Sequence, residues 1–314
     1  MTRVAAIDCG TNSIRLLVAD VDPATGALHD LTRRMTVVRL GQGVDKTGEF
    51  APQALDRTFA ALDGYGEACR ELGAERVRFV ATSATRDARN RDIFLDGVRS
   101  RIGVTPEVIS GNEEASLSFR GVVSAVSDAA APFLVVDLGG GSTELALGHA
   151  QLDAAYSMDV GCVRLTERHL TANPPTAAQQ ADAVADVRAA LAQASGTVPI
   201  GRARTLIGVA GSITTVTAHA LGLPAYDPQA IHGATLPVEQ VIASCNALIN
   251  ATYDERAAMP FMHPGRVEAI GAGALVWREV VTAVADAVAA SGGRLSAVTT
   301  SEHDILDGIA LSIA

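Results

Sequence analysis

Two stretches of the sequence combine an acid, glycine and hydroxyl residues in the same order. Asp8-Cys9-Gly10-Thr11-Asn12-Ser13 follows an apolar run at 4–7, and Asp137-Leu138-Gly139-Gly140-Gly141-Ser142-Thr143-Glu144 follows another at 133–136. A loop of Gly, Ser, Thr and Asn can turn several backbone N–H groups toward one point, where they bind phosphate oxygens; hydroxyls add further donors. Glycine supplies the backbone angles and the close approach. The acid at the end of each run, Asp8 or Asp137, can hold a hydrated Mg²⁺ that the phosphates also touch. Either loop alone also reads as a tight turn between strands. The duplication favours phosphate binding: displaced by 129 positions, residues 7–13 fall on residues 136–142. Neither loop is a GxxxxGK[ST] P-loop, which needs a lysine, nor a GxGxxG that opens a helix.

Other groups could act beside these loops. Glu113 and Glu114 head a helical pattern after a strand. Adjacent helix positions point about 100° apart, so at most one of the two faces a given site squarely. They either favour the helix N-terminus through its dipole, or one is a general base that orients water for attack on phosphorus. Thr82-Ser83-Ala84-Thr85-Arg86 offers hydroxyls and a guanidinium fork suited to phosphate, with Arg89 and Arg91 nearby. Arg15 and Glu144 occupy neighbouring repeat positions after the two loops; Arg15 either reaches phosphate or forms a structural ion pair. Gly211-Ser212 opens a helix whose N-terminus can receive an anion, or forms a structural turn. Gly271-Ala272-Gly273 reads as helix packing, and Cys9, with no adjacent His base, as a small packing residue. His303-Asp304 stands without the further ligands of a metal-dependent HD site. No Ser-His-Asp arrangement is evident.

The elements that must carry these residues alternate between strand and helix. Strands are expected on both sides of the first loop across 4–21, at 35–40, 77–81, 104–109, 133–136 and 205–209. Helices are expected from Pro52 to Gly73, over 91–102, from about Asn112, over 177–194, and after Ser212. Ser301 is expected to cap the last helix, with Asp304 three residues on as a shorter relative of the capping box. The small, polar stretch 124–132 is the expected domain boundary. Alternation of this kind gives α/β architecture. The duplicated loops suggest two related domains facing one another across a cleft.

Composition narrows the classes. The chain has 314 residues, 48% of them hydrophobic and 19% charged, which excludes a disordered chain. No apolar run approaches the ~20 residues of a membrane span, and no signal peptide is read at the N-terminus. Four scattered cysteines without a CxxC pair fit a reduced cytoplasmic chain. A net charge of −10 argues against wholesale binding to nucleic acid or anionic membranes. That charge is uneven: residues 1–122 carry 16 basic and 17 acidic groups, the remainder 9 and 18. An anion would therefore approach the first domain.

The segments 6–13, Ser110-Gly111-Asn112-Glu113-Glu114-Ala115, 136–144 and Gly208-Val209-Ala210-Gly211-Ser212 resemble, in order and over essentially the whole chain, the exopolyphosphatase / guanosine-pentaphosphate phosphohydrolase family. That family belongs to the actin-like ATPase superfamily. The resemblance implies an α/β fold of two ribonuclease H-like (actin-like ATPase) domains facing a central cleft. The expected domains are 1–124 and 125–314, with a C-terminal helix at about 302–314 able to pack back on the first. The resemblance places the general base on Glu114 and Mg²⁺, with Mn²⁺ as an alternative, on Asp137, Glu144 and Asp8. It assigns phosphate contacts to Gly10, Thr11, Asn12, Ser13, Arg15, Ser83 and Arg86. In the second half it assigns them to Gly139, Gly140, Gly141, Ser142, Thr143, Gly211 and Ser212. The expected activity is release of orthophosphate from the end of inorganic polyphosphate by a cytoplasmic homodimer that binds neither nucleic acid nor membrane. Hydrolysis of guanosine pentaphosphate to the tetraphosphate is the nearest alternative. A kinase acting on an alcohol and a silent polyphosphate-binding sensor are more distant ones. No C-terminal helical extension like that of longer family members is read in this sequence, which weakens the expectation of processive action on long chains.

Overall fold

The computed structural model describes residues 1–125 and 130–314. The chain divides into two compact units, Met1–Ala125 with Asp304–Ala314, and Val126–His303. The boundary stretch 124–132 lies partly outside the described residues.

The first unit is built on β1 (Thr2–Cys9), β2 (Ser13–Val21), β3 (Leu28–Val37), β4 (Arg76–Ala81) and β5 (Glu107–Val108), in the order β3-β2-β1-β4-β5. The first three strands form an antiparallel meander, and β4 and β5 continue in parallel from β1. Successive side chains of a strand point to opposite faces. Ala5, Ile7, Cys9, Ile14 and Leu16 therefore pack with Leu55, Leu62 and Phe94 from the helices Pro52–Glu71 and Arg91–Ile102. Val4, Ala6, Leu17 and Ala19 pack on the other face with Leu117, Ile305 and Ile309, from the helices Gly111–Val123 and Ile305–Ser312. Burial on both faces is why β1 reads as one continuous apolar run.

Strand β3 begins at Leu28, earlier than its apolar pattern suggests. It lies at the sheet edge with most side chains exposed, and its Asp30, Arg33 and Arg34 hide the alternation, as charges on edge strands do. The expected strand over 104–109 shrinks to two residues for the same positional reason.

The last helix starts one turn later than expected. Asp304, not Ser301, is the cap: its carboxylate accepts from Leu306 N at 3.0 Å, and Asp307 accepts from Asp304 N at 3.0 Å. Ser301 instead accepts from His303 N at 3.0 Å, closing the turn before the cap. This helix crosses Gly111–Val123 at two glycines. A Cβ at Gly121 would collide with the Asp304 carbonyl, and one at Gly308 with the Leu117 carbonyl. Backbone cannot yield as a side chain can, so Gly308→Ala is expected to cost about 1–3 kcal/mol. Thermal unfolding measures this; an unchanged midpoint would mean the helices do not approach so closely.

The second unit contains β6 (Phe133–Leu138), β7 (Thr143–Gly148), β8 (Leu152–Met158), β9 (Thr205–Val209), β10 (Thr235–Pro237) and β11 (Ala297–Thr300), ordered β10-β11-β9-β6-β7-β8. Again an antiparallel meander, β6-β7-β8, is extended by parallel strands, β9 and β11. The repeated loops are thus the visible part of a repeated sheet. Leu134, Val136 and Leu138 pack in a core with Val187 and Leu191 of the helix Ala177–Ser195 and Trp277 and Val280 of Ile270–Ala290.

Candidate active site

In the first unit the Gly10–Asn12 turn joins β1 to β2, with Gly10 N donating to Ser13 O at 3.0 Å. Its carbonyls are drawn to one side: Asn12 O accepts from Val38 N at 3.0 Å and Arg39 N at 2.8 Å, and Thr11 O from Gly41 N at 2.8 Å. A turn whose carbonyls are tied in this way is able to present amides to an anion, as a nest does. Arg39 holds φ 52°, a left-handed angle unusual for a residue with a Cβ. The strained residue sits in the segment that fixes the loop.

Asp8 and Arg15 are direct cross-strand partners. Arg15 Nε and Nη2 reach Asp8 Oδ2 at 3.0 and 2.8 Å, and Nη1 bonds Asp304 Oδ2. Of the two roles open to Arg15, the structure displays the ion pair. Burial pushes the Asp8 carboxyl up, the Arg15 guanidinium pulls it down, and Asp304 pushes it up again. Asp8 therefore already has a protein cation. Arg15→Met would strand two buried carboxylates. The expected loss is about 2–3 kcal/mol, less than for a fully buried pair because part of Arg15 remains in water. Chemical denaturation measures it, and a loss under about 0.5 kcal/mol would make the pair incidental.

Ser110 caps the helix Gly111–Val123 by accepting from Glu113 N at 3.2 Å. The two acids then part company. Glu113 turns outward to Arg78 Nη2 at 2.8 Å, whereas Glu114, 8% exposed, accepts from Arg86 Nη1 at 2.7 Å. The same Arg86 nitrogen donates to Ile109 O at 3.1 Å. Arg86 lies in the short helix Ser83–Asp87, in which Ser83 and Thr85 are buried. Thr85 Oγ1 is buried with no partner among the described residues. Arg89 is tied elsewhere, to Thr47 O at 2.9 Å and Glu49 at 3.3 Å, and no described contact brings it or Arg91 to Glu114.

In the second unit Gly139 N donates to Ser142 O at 3.0 Å, the same bond as in the first loop. The carbonyls are again drawn aside: Gly139 O accepts from Cys162 N, and Gly140 O from Val163 N and Arg164 N, at 2.8–3.1 Å. Arg164 Nε adds a 2.7 Å bond to Gly141 O, and Thr143 Oγ1 donates to Val160 O at 2.6 Å. A Cβ at Gly161 would come within 2.5 Å of Gly140, so only glycine fits there. Sequence reading missed Arg164, although it is one of only nine basic residues beyond position 122.

Under the 129-residue shift Glu144 coincides with Arg15. Asp137 and Glu144 are direct cross-strand partners in β6–β7, where the first unit has Asp8 and Arg15. Two acids replace an acid–base pair, and both are buried. Ser157 donates to Glu144 Oε1 at 2.7 Å. Mg²⁺ is commonly held by one or two carboxylates and several waters, so this pair fits a hydrated divalent cation. No cluster of three or more metal-ligating side chains occurs among the described residues.

Gly211 and Ser212 begin the helix Gly211–Leu221, after Ala210 at φ 71°. A Cβ at Gly211 would collide with the guanidinium of Arg266, and one at Gly273 with Ser212. Gly273 thus packs one helix against another. Tyr226 donates to Glu302 Oε1 at 2.6 Å and lies 2.8 Å from Thr214 Oγ1. Burial and the neighbouring Glu302 push its hydroxyl up to about 12.

A twice-repeated meander, with an acid at the end of its first strand and a glycine-bearing turn whose carbonyls are tied to neighbouring backbone, defines an α/β class with two candidate phosphate loops. Within that class the chain belongs to the Ppx/GppA phosphatase family, which it matches over residues 17–310. It is 51% identical to Exopolyphosphatase 2 of Mycobacterium tuberculosis, across 100% of this chain and 99% of that protein. A crystal structure of an exopolyphosphatase-like protein superposes with a TM-score of 0.95 at 46% identity, covering 99% of this chain and 98% of the other. A guanosine-5′-triphosphate,3′-diphosphate pyrophosphatase of Vibrio atlanticus is 35% identical, over 60% of this chain and 37% of its own.

Proposed function

We propose that this chain is an exopolyphosphatase that uses water to remove the terminal phosphate of inorganic polyphosphate. The observation that carries the reading is the buried Glu114, held by Arg86 at 2.7 Å while Glu113 turns away to Arg78. Full-length likeness to a protein named for this activity supports it. Water attacks the terminal phosphorus, the bond from that phosphorus to the bridging oxygen breaks, and Glu114 takes the water proton. The products are orthophosphate and a chain one unit shorter. Gly10, Thr11, Asn12 and Ser13, and Gly139, Gly140, Gly141, Ser142 and Thr143, supply loop donors for phosphate oxygens. Ser83, Gly211 and Ser212 are further contacts in this reading. Asp137 and Glu144 would hold Mg²⁺ or Mn²⁺, which would neutralise developing charge on the phosphoryl oxygens. Asp8, paired with Arg15, takes the lesser share.

Arg86 belongs at the reacting end in this reading, not along a path for the distal chain. Arg86→Ala is therefore expected to lower turnover about 10²-fold at every chain length, as loss of one charge-stabilising donor does. A rise in KM confined to longer chains would move Arg86 away from the reacting phosphate.

Hydrolysis of guanosine pentaphosphate to the tetraphosphate is the second reading. It needs the same attack at a 5′ terminus, and the Vibrio relative favours it over part of the chain. We place the protein in the cytoplasm as a homodimer acting on neither nucleic acid nor membrane. All four cysteines are unbridged and buried, and no helix among the described residues is long and apolar enough to cross a membrane. Phosphate release from short polyphosphate, long polyphosphate and guanosine pentaphosphate, compared with Mg²⁺ present, separates the readings. Faster release from polyphosphate is expected; faster release from the nucleotide would select the alternative.

A further inference from the structure

The second unit holds a cavity of ≈ 430 Å³ lined by the helix Cys162–Arg168, residues 170–173 and 175, the helix Tyr253–Ala257, Glu268 and the start of Ile270–Ala290. No residue of the 139–144 loop lines it. One wall is Arg256, which is 4% exposed. Its Nε donates to Leu248 O at 2.9 Å and its Nη2 to Ile249 O at 3.0 Å, near the end of the helix Val238–Asn250. A guanidinium has five N–H groups, and these two bonds use two of them. The carbonyl end of a helix offsets only part of a full positive charge.

No carboxylate among the described residues pairs with Arg256, and burial alone pulls its pKa down. Arginine nonetheless stays charged. A buried, unpaired cation is costly unless an anion meets it. Gly271 leaves room for the guanidinium: a Cβ there would come within 2.6 Å of Nη2 and 3.1 Å of Nη1. Leu170, Pro175 and Ala272 supply an apolar part of the remaining wall, and Thr166, Thr171, Asn173, Tyr253 and the exposed Glu268 a polar part.

We propose that this cavity binds a small organic anion, its carboxylate or phosphate group on Arg256 and its body against Leu170, Pro175 and Ala272. The volume lies in the range of metabolite pockets. Among the described residues Arg256 is the one cation lining the cavity, so this site takes a singly anchored ligand and not the polyphosphate chain. The proposal is independent of the reaction assigned above.

Trp277, the chain's single tryptophan, is buried, so Tyr253→Trp places a distinct fluorophore at the cavity. Titration of that variant with orthophosphate, adenosine 5′-monophosphate and benzoate compares phosphate with carboxylate ligands. A saturable change with at least one probe is expected, at a Kd of about 1 mM or tighter. Adding Arg256→Lys, which keeps the charge but loses the fork, should weaken it at least about tenfold. Adding Thr171→Asp instead, on an exposed lining position, should weaken it about two- to fivefold by adding a like charge. No saturable change with any probe, or equal affinity with Arg256→Lys, overturns the proposal. Should the Arg256→Lys protein fail to fold, Thr171→Asp decides: weaker binding supports the site, and unchanged affinity overturns it.

Discussion

Glu114→Gln is expected to leave folding and substrate binding nearly intact and to lower turnover by about 10²–10⁴-fold, the usual contribution of a positioned acid or base. Glutamine keeps the shape and can still accept from Arg86, but it cannot take the proton from water. The neighbouring substitution is the control. Glu113→Gln removes a surface ion pair with Arg78, with Glu113 substantially exposed, and such pairs contribute little. Turnover should therefore stay near normal. Steady-state phosphate release from the two variants decides the assignment: a normal Glu114→Gln enzyme with a crippled Glu113→Gln enzyme would move the role one residue back.

The second large effect concerns Asp137 and Glu144. Asp137→Asn and Glu144→Gln each remove one carboxylate of a cross-strand pair. Each should weaken divalent-cation binding and lower activity by about 10³-fold, matching the several kcal/mol that a metal supplies to phosphoryl chemistry. Asp8→Asn should affect cation binding far less, because Arg15 already neutralises that acid. Excess chelator should abolish activity reversibly while the circular dichroism spectrum persists, since the cores of both units are apolar. Titration with Mn²⁺ followed by its paramagnetic signal ranks the three variants. Asp8→Asn weakening the metal most would reverse the assignment.

What could be read from the residues follows from sequence distance. The two phosphate loops are local, as turns between adjacent apolar strands, and so is the helix over 91–102, which ends at a left-handed Gly103. The 129-residue repeat carried over from the loops to the meanders because buried strands at one sheet centre keep their apolar runs. Pairings across the fold were not legible. Arg86 and Glu114 lie 28 positions apart, and Arg15 and Asp304 lie 289 apart. Nothing in the local pattern of either residue marks its partner. Edge strand β3 was seen late because its exposed face carries charges where a buried strand carries valine or leucine. Arg164 was missed because its role lies in one bond to a loop carbonyl, with no spacing rule to announce it.

Hydrolysis in ¹⁸O-labelled water tests the central claim most directly. With short polyphosphate and Mg²⁺, a single attack by water on the terminal phosphorus places one ¹⁸O in each released orthophosphate and none in the shortened chain. Mass spectrometry of both products after limited turnover should show that distribution for the wild-type protein, at a rate lowered about 10²–10⁴-fold in Glu114→Gln. Label in the shortened chain, unlabelled orthophosphate, or the same rate without Glu114 would contradict it.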